Sequence, residues 1–303
     1  MFNLLSYFNK KPIVVVTCLR DIPLLALQAQ SISKYLKGSH DIIIIVNEDK
    51  NSAEWTELFN TYCKDWYKKH KLQLIYKKDF DCEWSKNKNS RYRGWDNQQL
   101  LKLAISDKIK SNCYLVLDSQ NFLVMPWSTG NYPTKNNLVP GRNGVFRMSE
   151  DTVKMYAKEL QVSPTIPTMS LSTPIFLKTD IVQSLIKRWD DLTNFSQWFF
   201  NTDNYISEFL LYHVWLEKNQ GYNSHHYSVE WPWNGPMIRT NDADSSSLEF
   251  FCKNLGKNKE AWVSITHSSW SSFSKIEKQK LSNTLKKHNL DIEKSGFEYI
   301  INT

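Results

Sequence analysis

Glycine is scarce in this chain, 9 residues in 303, and its five cysteines (Cys18, Cys63, Cys82, Cys113 and Cys252) include no C-x-x-C pair. With 12 Trp, 14 Tyr and 15 Phe, the shortage of glycine speaks against a disordered or low-complexity chain. The cysteine spacing argues against a zinc knuckle, and the odd count leaves at least one thiol outside any internal disulfide. Cys18 and Cys113 fall in or beside apolar strands, where a reduced buried thiol is expected. No apolar run reaches the roughly 20 residues of a membrane span, and residues 1–11 are too short and polar for a secretory leader. The expected location is cytoplasmic, with peripheral contact at the inner face of a membrane as a secondary reading. Neither sign of charge dominates: 38 Lys and Arg face 31 Asp and Glu, for a formal net charge of +7. That excess suits an anionic small molecule or a phosphate-bearing surface. No strand- or duplex-reading motif accompanies it, so no nucleic-acid partner is expected.

What is present is an alternation of β-branched runs and amphipathic stretches. Residues 12–17, PIVVVT, read as a strand, and Pro23 then opens helical spacing through LLALQAQSISKYL. The run IIIIVNED after Asp41 is almost continuously β-branched, which suits a strand covered on both faces, so residues 12–49 read as β-α-β. Helical spacing follows over 52–70, a strand over 72–76, and a polar connection over 77–92 expected to lie above the sheet edge. Further helices are expected over 150–160, 181–189, 198–218 and 272–288, and strands over 174–177 and 261–266. The chain reads as α/β, a Rossmann-like, mostly parallel central sheet flanked by helices. A single domain spans 1–303, with halves at 12–125 and 126–270 and a helical tail at 271–303.

Residues 93–121 organise the rest. Gly94 releases the chain into a helical pattern whose apolar face is Leu100, Leu101, Leu103, Ala104 and Ile105, with a strand at 114–117 after it. That strand ends abruptly in Asp118-Ser119-Gln120-Asn121, and a strand ending in a carboxylate is where α/β proteins keep their chemistry.

Five segments in order, VVVTCLRD, GWDNQQLLKL before YLVLDSQN, STPIFLKTDIV, SEFLLYHVWL and WVSITHSSW, resemble bacterial glycosyltransferase-like proteins of the GT-A type, the DUF6492 group in particular. The resemblance spans roughly residues 12–270. It implies that the first half binds a UDP- or GDP-linked sugar and the second half a glycan or lipid-linked acceptor. It also implies a D-x-D motif holding Mn²⁺ or Mg²⁺ on the diphosphate, with Asp118 as its first Asp and Gln120 where the second is expected. A neutral Gln offers a carbonyl oxygen in place of a carboxylate, and Asn121 is a further neutral oxygen. His267, after a late strand, matches a metal-binding position. Glu208 is the expected acceptor base, or an orienting residue if the reaction retains configuration. Thr17, Arg20 and Asp21 are expected at the nucleotide, and Arg93, Trp95, Gln98, Gln99 and Ser119 near the donor sugar. His226, Trp231 and Trp233 are expected as acceptor-site walls. The alternatives are a sugar nucleotidyltransferase and a catalytically weak carbohydrate-binding or assembly protein.

Overall fold

The structure, a computed structural model, describes residues 10–49, 52–86, 90–141, 150–163, 172–201, 207–228, 237–238, 245–257 and 261–297. The first half runs β1 (Ile13–Thr17), α1 (Ile22–Tyr35), β2 (Asp41–Val46), α2 (Ser52–Tyr62), β3 (Lys71–Tyr76), α3 (Ser90–Ala104), β4 (Cys113–Asp118) and β5 (Asn121–Leu123). It continues through β6 (Val139–Gly141), α4 (Glu150–Leu160), β7 (Ile175–Lys178), α5 (Thr179–Lys187), α6 (Leu192–Asn201), α7 (Glu208–Lys218) and β8 (His226–Ser228). Last come β9 (Met237–Ile238), α8 (Ser245–Asn254), β10 (Trp262–Ile265), α9 (His267–Ser272) and α10 (Lys275–Lys287).

The main sheet has the order β3-β2-β1-β4-β7. Its first four strands are parallel, and β7 closes the edge antiparallel to β4. Because side chains alternate across a strand, each β-branched run feeds two cores. Val14, Val16, Ile43, Ile45 and Val116 face the helices α3, α5 and α7, while Ile13, Val15, Ile42, Ile44 and Leu117 face α1 and α2. The expected mostly parallel sheet covered by helices is therefore what forms. A third apolar cluster joins β5 and β10 to α8 and α10 through Phe122, Val263, Phe251 and Leu285. No helix among the described residues is long and apolar enough to cross a membrane.

Local chemistry sets the boundaries. Pro23 sits in the first turn of α1, where its missing N–H is no loss. The single helical region expected over 198–218 is two helices, α6 and α7, because Ser207 caps a new start by accepting from the Leu210 N–H. Ser274 and Glu277 form a reciprocal capping box that opens α10. Gly94 lies inside α3, which begins at Ser90, rather than at its start.

His226 is tied into this frame. The Pro140 carbonyl can only accept, so His226 Nδ1 donates to it at 3.3 Å, and Nε2 of the neutral ring accepts from the Tyr212 hydroxyl at 2.8 Å, which itself accepts from the Lys178 N–H. The Tyr222 ring stacks on the imidazole at 4.7 Å. Burial pushes its pKa down to about 3, and burial of His40 pushes that group down to about 4. Both are depressed below the ordinary 6.5. Their contribution to stability is therefore complete above pH 6.5 and is lost as the pH falls through the folded values, since only the unfolded chain takes up the protons. The expected outcome is a melting temperature that declines from pH 6.5 towards pH 4. In His226→Gln the slope of unfolding free energy against pH should be smaller by up to one proton, about 1.4 kcal/mol per pH unit. Chemical denaturation across that range checks it.

Candidate functional site

The sheet order contains a reversal. The chain builds outward from β1 through β2 to β3 and then lays β4 on the opposite side of β1. The crevice outside the strand carboxyl ends at such a reversal is the usual ligand site of an open α/β sheet. A cleft of about 770 Å³, within the range of small-molecule sites, opens next to it, over the carboxyl ends of β1 and β2. Thr17 and the turn Leu19–Asp21 enter it from β1, Asn47, Glu48 and Asp49 from β2, and Arg93, Trp95 and Gln98 from α3. Asn47 Nδ2 donates to the Gly94 carbonyl at 2.8 Å, which fixes the first turns of α3 against the end of β2.

The cleft mixes charges. Arg20, with about half of its side chain exposed, lies 3.6 Å from the Asp21 carboxylate. The Glu48 carboxylate accepts from the Leu19 N–H at 2.5 Å, and burial pushes its pKa up. Lys77 is buried, with Nζ 2.9 Å from Asp49 and 4.6 Å above the Trp84 ring. Two tryptophans, Trp84 and Trp95, and three cationic side chains, Arg20, Lys77 and Arg93, thus line one opening. Flat apolar rings beside cationic forks suit a heteroaromatic ligand that carries phosphate.

Asp118 stands at the reversal itself, paired in register with Val16 of β1. Its carboxylate is held from three sides. Lys102 Nζ lies 2.9 Å from Oδ1, Gln98 Nε2 donates to the same oxygen at 3.2 Å, and the Thr173 hydroxyl donates to Oδ2 at 2.5 Å. Lys102 also donates to Glu208 Oε1 at 2.9 Å, so one ammonium group bridges two carboxylates from β4 and α7. Lys102 is 3 % exposed and Glu208 2 %. Burial alone would lower the Lys102 pKa. The two carboxylates reverse that and hold it above the usual lysine range. Burial pushes the Glu208 pKa up, and Lys102 opposes this. The Gln99 amide lies against the Glu208 carboxylate, and donation to that carboxylate satisfies both groups.

The turn after Asp118 is built from its own side chains. Asn121 Oδ1 accepts from the Asp118 N–H at 2.7 Å while its Nδ2 donates to Ser264. Gln28 from α1 donates to the Asp118 and Asn121 carbonyls at 2.8 and 2.7 Å. Asn121 is thus committed to the turn and is not a free ligand oxygen.

The fold brings Thr17, Arg20, Asp21, Arg93, Trp95 and Gln98 to one cleft, with Asp118 joined to it through Gln98. Thr17 is 2 % exposed at the end of β1, and Ser119 and Gln99 are each 4 % exposed, with Gln99 turned towards Glu208 instead of the opening. Gln120 is half-buried and its carbonyl lies 3.4 Å from the Ile265 N–H. His226, expected as an acceptor-site wall, is 2 % exposed with both ring nitrogens engaged inside the protein. Glu208, expected as the acceptor base, is buried against Lys102, whereas a base must come within about 2.6–3.2 Å of the hydroxyl it deprotonates. Trp231 and Trp233 lie outside the described residues, as does the side chain of His267, which begins α9. Sequence reasoning missed Lys102, although a lysine flanked by Leu101 and Leu103, one helical turn after Gln98 and Gln99, was the available signal. It also missed Lys77, Trp84 and the polar triplet at 47–49 after the second strand.

Among the described residues, which do not include the His267 side chain, the donor set does not fit the divalent ion implied by the D-x-D resemblance. Among the described residues no three His, Cys, Asp or Glu side chains converge as a ligand set. Asp118, the carboxylate of the expected pair, already carries a lysine ammonium at 2.9 Å, and a dication on the same group would face that like charge.

The chain resembles solved structures of glycosyltransferases. It matches the galactosyltransferase LgtC, solved with donor and acceptor sugar analogs, at 9% identity and a TM-score of 0.52 over 91% of this chain and 95% of that one. It matches the apo structure of the bifunctional glycosyltransferase WbbM at 12% identity and a TM-score of 0.51, covering 84% of this chain and 45% of the WbbM chain, so it spans under half of that protein. At such identities the likeness is one of fold, the GT-A type. A search of curated proteins finds no match. A family model described as "Family of unknown function (DUF6492)" matches residues 10–246, most of the chain, and with the fold and the cleft in place the protein belongs to DUF6492.

Proposed function

We propose that this protein transfers a sugar from a nucleoside-diphosphate donor to a hydroxyl of a glycan or lipid-linked acceptor. The observation that carries the reading is the cleft at the carboxyl ends of β1 and β2, where tryptophan rings, arginine side chains and carboxylates meet and Gln98 links the wall to Asp118. Trp84 and Trp95 offer flat surfaces for the base or sugar. Asp21 and Glu48 offer acceptors for base or ribose donors. Arg20 and Arg93 supply guanidinium groups for the diphosphate.

The chemical demand is asymmetric. As the glycosidic bond to phosphate breaks, negative charge grows on the departing diphosphate and positive character on the anomeric carbon. Preorganised cations answer the first, and they are worth most where water is excluded. Asp118, a buried-edge carboxylate fixed by three donors, accepts a hydroxyl of the donor and sets the sugar's orientation. Glu208 acts one step removed, holding the Lys102 ammonium in place from the far side.

Calorimetric titration with UDP, GDP and their common sugar conjugates tests the reading. Saturable binding is expected for one nucleotide series, weakened about tenfold in Arg93→Ala, near 1.4 kcal/mol. No binding by the folded chain across the panel would sink it. Glu208→Gln separates the two roles of that residue. As the anchor of a buried cation, its replacement is expected to cost about 1–3 kcal/mol of stability and to lower the melting temperature, with donor affinity nearly unchanged. A variant that keeps its melting temperature and donor affinity while turnover falls a hundredfold would return Glu208 to the role of acceptor base.

A further inference from the structure

The chain places a cation of its own on the carboxylate at the sheet reversal. Lys102 Nζ sits 2.9 Å from both Asp118 Oδ1 and Glu208 Oε1, and 5.2 Å from the centre of the Phe209 ring. Its backbone is held as well, since the Tyr114 hydroxyl of β4 donates to the Lys102 carbonyl at 2.9 Å. This is a built seat. The ammonium has two anionic partners and an aromatic face, and helix and strand are hydrogen-bonded where it is anchored. Asp118 has little left to offer a metal. A carboxylate has about four lone-pair positions, and Lys102 and Gln98 engage Oδ1 while Thr173 engages Oδ2. One acceptor position remains on a side chain that is 21 % exposed. Two residues further on stands Gln120, neutral, so no second carboxylate is present there to outweigh the lysine.

We propose that Lys102 is the resident cation of this site: its ammonium group occupies the Asp118 carboxylate in place of a divalent ion, and donor binding at the cleft proceeds without metal. The second half of that statement rests on the sugar-transfer reading above; the first half does not. Lys102 is then a positioning residue. It neutralises Asp118 from beneath, fixes the orientation of its carboxylate, and leaves one acceptor position for a donor hydroxyl. The developing diphosphate charge falls to the cleft's exposed arginines. Removing the ammonium should uncover two carboxylates, Asp118 and Glu208, around the space it vacates. That space would then suit a hard divalent cation, which oxygen ligands bind.

Electron paramagnetic resonance titration of Mn²⁺ alone into the full chain tests the first half without any nucleotide, so that a failure of the sugar-transfer reading leaves it readable. The expected result is that the wild-type chain leaves the free Mn²⁺ signal unattenuated into the millimolar range. Attenuation that Asp118→Asn abolishes would overturn the proposal, whereas attenuation that survives Asp118→Asn is metal held elsewhere and agrees with it. Lys102→Ala, where its melt shows it folded, should gain Mn²⁺ binding at least tenfold over wild type, and Asp118→Asn added to it should remove the gain. A folded Lys102→Ala chain that still ignores Mn²⁺ shows that the ammonium is not what excludes the metal and overturns the assignment. If Lys102→Ala does not fold, the comparison of wild type with Asp118→Asn decides alone. The second half is read by nucleotide calorimetry in EDTA and in Mn²⁺: equal affinities are expected, and a tenfold enhancement by Mn²⁺ that Asp118→Asn removes contradicts it.

Discussion

A lysine ammonium held between two carboxylates in the interior is the interaction on which the rest of this site depends. Taking three charges out of water is costly, and the cost is recovered only where hydrogen bonds satisfy each group. The chain meets that condition from several elements at once. Lys102 and Gln98 come from α3, Asp118 ends β4, Glu208 begins α7, and Thr173 precedes β7. Each is held where it is by the packing of its own element against the sheet. Fixing the ammonium therefore fixes the carboxylate at the reversal relative to the cleft wall on α3. Breaking the bridge on either side would leave a buried charge less well compensated, which disfavours any arrangement without it.

The backbone frame was legible in the sequence because its signals are local. Continuous β-branched runs at 13–16 and 42–46 are strands buried on both faces, and α4 falls on the residues that its spacing predicts. The end of β4 at Asp118 was legible for the same reason: the apolar run stops there at a carboxylate. What surrounds Asp118 was not, because its partners lie 20, 16 and 55 residues away for Gln98, Lys102 and Thr173 and meet it only through the packing of α3 and of the segment before β7 against the sheet. Lys102 looks like one more solvated lysine until Leu101 and Leu103 are seen to be fully buried beside it. Glu208 and His226 differ in the opposite direction. A carboxylate at a helix start and a histidine near tryptophans suggest exposed chemistry, yet Glu208 is buried against Lys102 and both ring nitrogens of His226 are engaged inside the protein.

The same geometry explains the departure from a two-carboxylate metal motif. With Gln120 at the second position, a dication would have one carboxylate, already shared with an ammonium group. An internal cation resolves that shortage without any exchangeable ion. The exposed cationic groups at the cleft, Arg20 beside Asp21 and Arg93, stand where they can meet phosphate, while the buried ones, Lys77 and Lys102, are balanced by Asp49 and by the Asp118–Glu208 pair. The division of labour follows from burial: a desolvated charge is kept by a fixed partner, and an exposed one serves a ligand that comes and goes.

The most direct measurement is a crystal structure of the chain grown with a nucleoside diphosphate and Mn²⁺ together. The account predicts the diphosphate in the cleft beside Arg20 and Arg93, Lys102 still bridging Asp118 and Glu208, and no anomalous manganese peak at Asp118. A manganese peak between Asp118 and the diphosphate, with the Lys102 side chain displaced from the carboxylate, would contradict it.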